Sequence, residues 1–237
     1  MRSCVNSWTW RRLRPGGRAT PIPDEVARGI ALVQPVKAAP YFAHALFSPS
    51  APVLALPDPG DGIPYVKAMW HYGRGIAYTA QGDFTAAKAE SNAIAALEGG
   101  DFTLLKSSGV PAQDVLALAR TVIEARVAQR QGDKVAAIER FERAAVLQDG
   151  LPYMEPPYWY YPVRQSLAVA LMQAGRLDEA EEQFQRALKR APSNGWSWYG
   201  LAELYRARGN ADQASKLEAD LAKLWIGDRH QLELSKL

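Results

Sequence analysis

The sequence predicts an all-α fold: an α-solenoid of about four helix pairs behind an irregular amino-terminal cap. Three observations predict it. Residues 161–194 and 195–228 lie in register without a gap, so that Leu167 meets Leu201, Ala168 meets Ala202, Gly175 meets Gly209 and Ala180 meets Ala214. A fixed period of 34 residues is the mark of stacked helix pairs. Glycines at 82, 132, 175 and 209 recur at spacings of 50, 43 and 34, which extends the same ruler upstream with two insertions. Finally, small residues such as Ala168 and Ala180 stand where two backbones must approach, with Leu167, Leu171, Leu177 and Phe184 beside them to fill the groove.

In chain order, residues 1–35 are expected to be a disordered or non-native basic leader. The first 23 residues hold five arginines and no acid, and no apolar segment follows the basic start as a secretory signal requires. The pair Arg11-Arg12 runs into Arg14, Pro15 and two glycines, the wrong continuation for a twin-arginine signal. Residues 36–66, with several prolines and short apolar runs, predict an irregular helical cap. The helix pairs are expected at about 68–98, 118–150, 161–194 and 195–228, with insertions at about 99–114 and 150–160 and a tail at 229–237. Within each pair the mid-repeat glycine closes the first helix in the left-handed conformation. Asp83 and Asp133 follow two of these glycines and are placed to cap the second helices. Pro192 ends the second helix of its pair.

The second insertion carries the run YWYY, Tyr158 to Tyr161, after Pro156-Pro157. Four adjacent aromatics cannot face one way, so this knot is read mainly as a plug over a repeat edge, with one or two rings left at a groove rim.

These residues carry a resemblance. The row Leu167-Ala168, Leu171, Gly175, Ala180, Phe184, Ala187 and Pro192 resembles the tetratricopeptide repeat. The last unit keeps Trp198, Leu201-Ala202, Tyr205 and Ala214 but has Glu218 and Leu221 where the pattern has Phe and Ala, as suits a terminal repeat. The chain is also similar to the carboxy-terminal part of larger bacterial tetratricopeptide proteins. The resemblance implies that the first helices line a concave face that binds an extended peptide or helix of a partner protein. Carried onto this sequence, that face takes Tyr72, Ile76 and Thr79 from the first unit, and Val122, Arg126, Gln129 and Arg130 from the second. The third supplies Gln165, Val169 and Gln173; the fourth supplies Trp196, Tyr199, Glu203 and Arg206. Arginine pairs bidentately with carboxylates and aromatics give stiff contact area, so the mixture suits a peptide with carboxylates and an apolar anchor. The Lys-Asn-Asn-Lys-Arg constellation that holds chaperone tails is not matched: Tyr72, Ile76, Ile123, Pro162 and Ser166 stand at its positions.

Chemistry finds little support. Histidines occur only at 44, 71 and 230, without metal-ligand spacing. His71 beside Trp70 is read as a partly buried structural residue. In DPGDG, Asp58 and Asp61 hint at a calcium loop, but Met69 stands where the bidentate glutamate belongs, so a turn is expected. The single cysteine, Cys4, excludes an intrachain disulfide and a cysteine zinc site. No cofactor and no catalytic residue are expected, and no stretch is apolar enough for a membrane span. The default compartment is the cytoplasm, with export left to a start lying upstream. Two alternatives stand beside the scaffold: a sensory array enclosing a small ligand near Trp159, Trp196 and Trp198, and RNA binding through the leader's arginines, Trp8 and Trp10, which the charge-mixed repeats disfavour.

Overall fold

The computed structural model describes residues 22–226 and 228–237. Among them are twelve α-helices and no strand, packed in adjacent pairs in the manner of an α-solenoid. The leader's Cys4, Trp8, Trp10 and its arginines lie outside the described residues. In order the helices are α1 (Asp24–Gly29), α2 (Val33–Phe47), α3 (Ser50–Leu54), α4 (Pro64–Gln81), α5 (Phe84–Glu98) and α6 (Thr103–Ser107). They continue as α7 (Ala112–Arg130), α8 (Lys134–Asp149), α9 (Val163–Gln173), α10 (Leu177–Arg190), α11 (Gly195–Ala207) and α12 (Ala211–Leu224). The described residues form two compact units, divided inside α7 between Ile123 and Glu124.

One local device builds every pair. Gly82, Gly132, Gly175 and Gly209 have φ of 81°, 80°, 79° and 76°, a conformation that costs a residue with a Cβ and is free to glycine. The next amide then reaches back across the helix end: Asp83 to the Tyr78 carbonyl at 3.0 Å, Arg176 to Leu171 at 2.9 Å, Asn210 to Tyr205 at 2.9 Å. This double closure satisfies carbonyls that the helix end would otherwise leave open. The residue after the glycine starts the second helix. Asp83 accepts from the Ala86 amide at 3.0 Å, Asp133 from Ala136 at 3.0 Å and Asn210 from Gln213 at 3.2 Å. Arg176 has no capping oxygen and instead pairs with Glu179 at 2.6 Å.

In the first unit, α4 is the central helix, flanked by α2, α3 and α5. Phe42 of α2 meets Tyr72 of α4 edge-on, with centroids 5.9 Å apart. Glu90 of α5 accepts from Arg74 at 2.7 Å and bonds His71 at 2.5 Å, which ties α5 to α4. The boundaries drawn from sequence need correction here. Helical structure begins at Asp24, inside the stretch assigned to the leader, because Lys37 of α2 reaches back to Asp24 at 2.9 Å and to the Ile22 carbonyl at 2.6 Å. The first insertion holds α6 and the start of α7, which begins at Ala112 and not near 118. Gly75 explains the close seating of α7 in this unit: a Cβ there would lie 2.5 Å from the Ile123 side chain.

In the second unit α8 to α12 stack in sequence, each helix on the next, with α9 also against α11. Phe141 and Phe184 are fully buried, among Ala168, Ala180 and Ala187, which are buried as completely. Small residues set the helix spacing and the rings fill what remains. The knot closes one side. Tyr158, Trp159 and Tyr161 are buried while Tyr153 is 86% exposed, so most of the aromatic run packs and its loop tip does not. Buried Gln148 holds the insertion's end: its amide donates to the Tyr161 carbonyl at 2.7 Å and its oxygen accepts from the Val163 amide at 2.8 Å. That single side chain therefore supplies a first-turn acceptor for α9, where Pro162 has no side-chain oxygen to offer.

The caps and the contact between α10 and α11 can each be tested. Replacing Asp133 with alanine should cost about 1 kcal/mol in urea unfolding, the usual loss for an N-cap acid. Glu181 of α10 accepts from Tyr205 of α11 at 2.5 Å and also pairs with Arg208. The Tyr205 hydroxyl, then Arg208, hold its carboxyl below the ordinary 4.5. A lowered native value contributes stability above the ordinary value and loses it as pH falls through the native one. The wild type should therefore be more stable than Glu181→Gln near pH 6, and their urea midpoints should converge as pH drops below 4.5.

Candidate peptide-binding face

The second unit presents a face made from the end of α7 with α9 and α11, the first helices of their pairs. Arg126 of α7 sits at its centre. The guanidinium lies 5.5 Å from the centroid of Phe141, over the ring face, so an aromatic holds the cation from below. Its Nη2 donates to Ser166 Oγ of α9 at 3.0 Å, and its Nη1 reaches Gln129 Oε1 at 3.4 Å. Gln129 in turn donates to Gln173 of α9 at 3.1 Å. Arg126, Gln129 and Gln173 thus form one polar seam. Arg130 is exposed, one helical turn beyond Arg126.

The other residues expected on this face fall in different places. Gln165 is 1% exposed and belongs to the joint between repeats, where its oxygen accepts from Asn194 and from Ser197 Oγ, each at 3.2 Å. Trp196 is buried edge-on against Trp225, with centroids 5.7 Å apart. Tyr199 of α11 is half-buried, and burial followed by the Glu203 carboxylate pushes its phenol up. Glu203 and Arg206 pair with each other, and Arg206 also pairs with Glu218 of α12. Tyr72 lies in the first unit, 1% exposed beneath Phe42. Tyr72, Gln165 and Trp196 are therefore packing residues, since a buried side chain already has its partners.

What the residue pattern missed is the occupant. Beyond α12 the chain makes two short 3-10 turns, Arg229–Gln231 and Leu234–Lys236, and comes back onto the polar seam. Arg126 Nη2 donates to the main-chain oxygen of Lys236 at 3.3 Å and to that of Leu237. Ser166 Oγ donates to the Leu237 oxygen as well. The Leu237 side chain is fully buried and Leu232 nearly so. Gly200 of α11 makes the room: a Cβ there would stand 2.4 Å from the Phe184 ring and 3.2 Å from Leu237 Cδ1. Ser166, which does not match the chaperone-tail constellation, is one of the two donors. The signal available in the sequence was the spacing of Leu232, Leu234 and Leu237 in a tail too short for a helix of its own.

The small-ligand alternative finds its three tryptophans in separate contacts. Trp159 meets Tyr160 and Tyr161, Trp196 meets Trp225, and Trp198 donates to the Pro192 carbonyl at 2.9 Å. The knot borders an open cavity of about 290 Å³ lined by Tyr153, Met154, Tyr160 and Arg190, at the low end of the range for small-molecule sites. The DPGDG stretch is a turn: Asp58 accepts from the Gly60 amide at 2.7 Å, and Lys67 bonds Asp58 at 2.5 Å and Asp61 at 3.3 Å. An ammonium thus holds the position a cation would take. No helix among the described residues is long and apolar enough to cross a membrane.

Compared with known proteins, residues 171–223 match the family model described as tetratricopeptide repeat. None of the curated proteins matches the sequence.

Gly200→Ala tests the geometry of this face. The added methyl would overlap the Phe184 ring, and overpacking of this kind typically costs ~1–3 kcal/mol. Urea unfolding should show that loss, and a substitution as mild as wild type would mean that α10 and α11 are not seated this closely.

Proposed function

The chain is a tetratricopeptide repeat protein, and from that premise we propose that it is a non-catalytic scaffold whose second-unit face, centred on Arg126, binds a peptide or helix of a partner protein. Repeats of this family generally mediate protein–protein interaction and typically act without catalysis. The observation that carries the finer reading is the Arg126 seam. A guanidinium held over Phe141 and directed by Ser166 and Gln129 offers donors at fixed positions, and it does so beside an apolar hollow at Gly200 that takes a leucine side chain. Donors next to an apolar pocket are what an extended peptide needs, since its main-chain oxygens require partners and its anchor side chain requires burial. Tyr199, half-buried on α11, adds an aromatic wall.

Joint replacement of Arg126, Arg130 and Tyr199 by alanine should abolish capture of the partner in crosslinking pull-downs from the native host while leaving helical circular dichroism unchanged. Capture of the same set of proteins by the triple variant would show that this face is not the docking surface.

A further inference from the structure

We propose that residues 229–237 are an intramolecular ligand of the Arg126 face, and that the partner is a peptide of the same chemistry: a leucine-like side chain next to main-chain oxygens, which enters by displacing the tail. This deepens the scaffold reading and rests on it. The tail is held where a ligand would be held. Its main-chain oxygens at Lys236 and Leu237 take the Arg126 and Ser166 donors, and the Leu237 side chain lies in the hollow over Gly200 and Phe184.

The rest of the tail makes few demands. Glu233, Ser235 and Lys236 are exposed, and Glu233 bonds to Ser235 at 3.1 Å and pairs with Lys236 at 3.2 Å, so these side chains satisfy one another within the tail. Recognition therefore reads two leucine anchors and backbone, and little of the sequence between. A peptide with an aliphatic anchor in the same place meets the same donors. Beyond Leu224 the described residues form two three-residue 3-10 turns. Such a segment can leave as a unit without unfolding α12.

A ligand tethered in cis competes at a high effective concentration, in the millimolar range for short flexible connections. An incoming peptide meets a face that is open only a fraction of the time, and its apparent affinity falls by that fraction. Weakening the tail's anchors must therefore strengthen binding in trans.

The experiment uses the full chain and an amino-terminally fluorescein-labelled peptide of residues 231–237, QLELSKL, followed by anisotropy. The double variant Leu232→Ser/Leu237→Ser keeps the length and charge of the tail and removes both anchors. It should bind the peptide at least about tenfold more tightly than wild type, and adding Arg126→Ala should abolish that gain. Limited trypsin digestion gives an independent measure: cleavage after Arg229 should be slow in wild type, faster in the double variant, and accelerated in wild type by excess unlabelled peptide. Equal peptide binding by wild type and double variant, or equal cleavage at Arg229, would overturn the proposal. If the peptide fails while host-partner capture is still lost in the Arg126, Arg130 and Tyr199 variant, the tail is not the ligand but the docking face stands. If capture also survives that variant, both readings fall.

Discussion

The second unit depends on how closely α10 and α11 approach at Gly200. With no Cβ there, the Phe184 ring enters the space a side chain would have filled, and Phe184 becomes completely buried. Burying a ring of this size removes a large apolar surface from water, worth roughly 1.5–3 kcal/mol by transfer from solvent. Alanines at 168, 180 and 187 are buried as completely and put little side chain between neighbouring backbones. The same absence has a second effect at the same point. It leaves the hollow that receives Leu237, so the packing of the core and the shape of the Arg126 face both depend on one missing methyl group.

Polar chemistry is arranged around that hollow in a way that limits its own cost. A guanidinium near the core would be expensive if its donors lacked partners. Arg126 is placed over Phe141, has neutral oxygens from Ser166 and Gln129, and finds two more in the tail. Its hydrogen bonds are thus made by Ser166, Gln129 and the last two residues of the tail.

Much of the fold was legible in the sequence because it is carried by local chemistry. The left-handed glycines at 82, 132, 175 and 209 need that residue type, and Asp83 and Asp133 need an acceptor on a short side chain, so their spacing alone marks the turns. The aromatic knot was legible as packing for a similar reason. The elements that were misplaced are those without such punctuation. The short helices α1 and α6 are six and five residues long, too short for periodicity to speak, and α1 is tied down by Lys37 from a distance. The face was legible in part. Arg126, Gln129 and Gln173 do come together, because helix geometry fixes which residues share a side. Tyr72, Gln165 and Trp196 share that side in register but are covered by neighbours, and what covers a residue is decided by tertiary packing. The tail was illegible for the same reason: nothing local says where an irregular segment will come to rest.

Gln148 gives the knot a property of its own. Because one buried amide grips both the Tyr161 carbonyl and the Val163 amide, the return of the chain into α9 is fixed independently of the route taken between Pro152 and Pro157. The tip at Tyr153 is exposed and takes no part in the hydrogen bonds at that base. Evolution, or an engineer, can lengthen or rewrite that excursion while the staple at its base keeps both flanking helices in place.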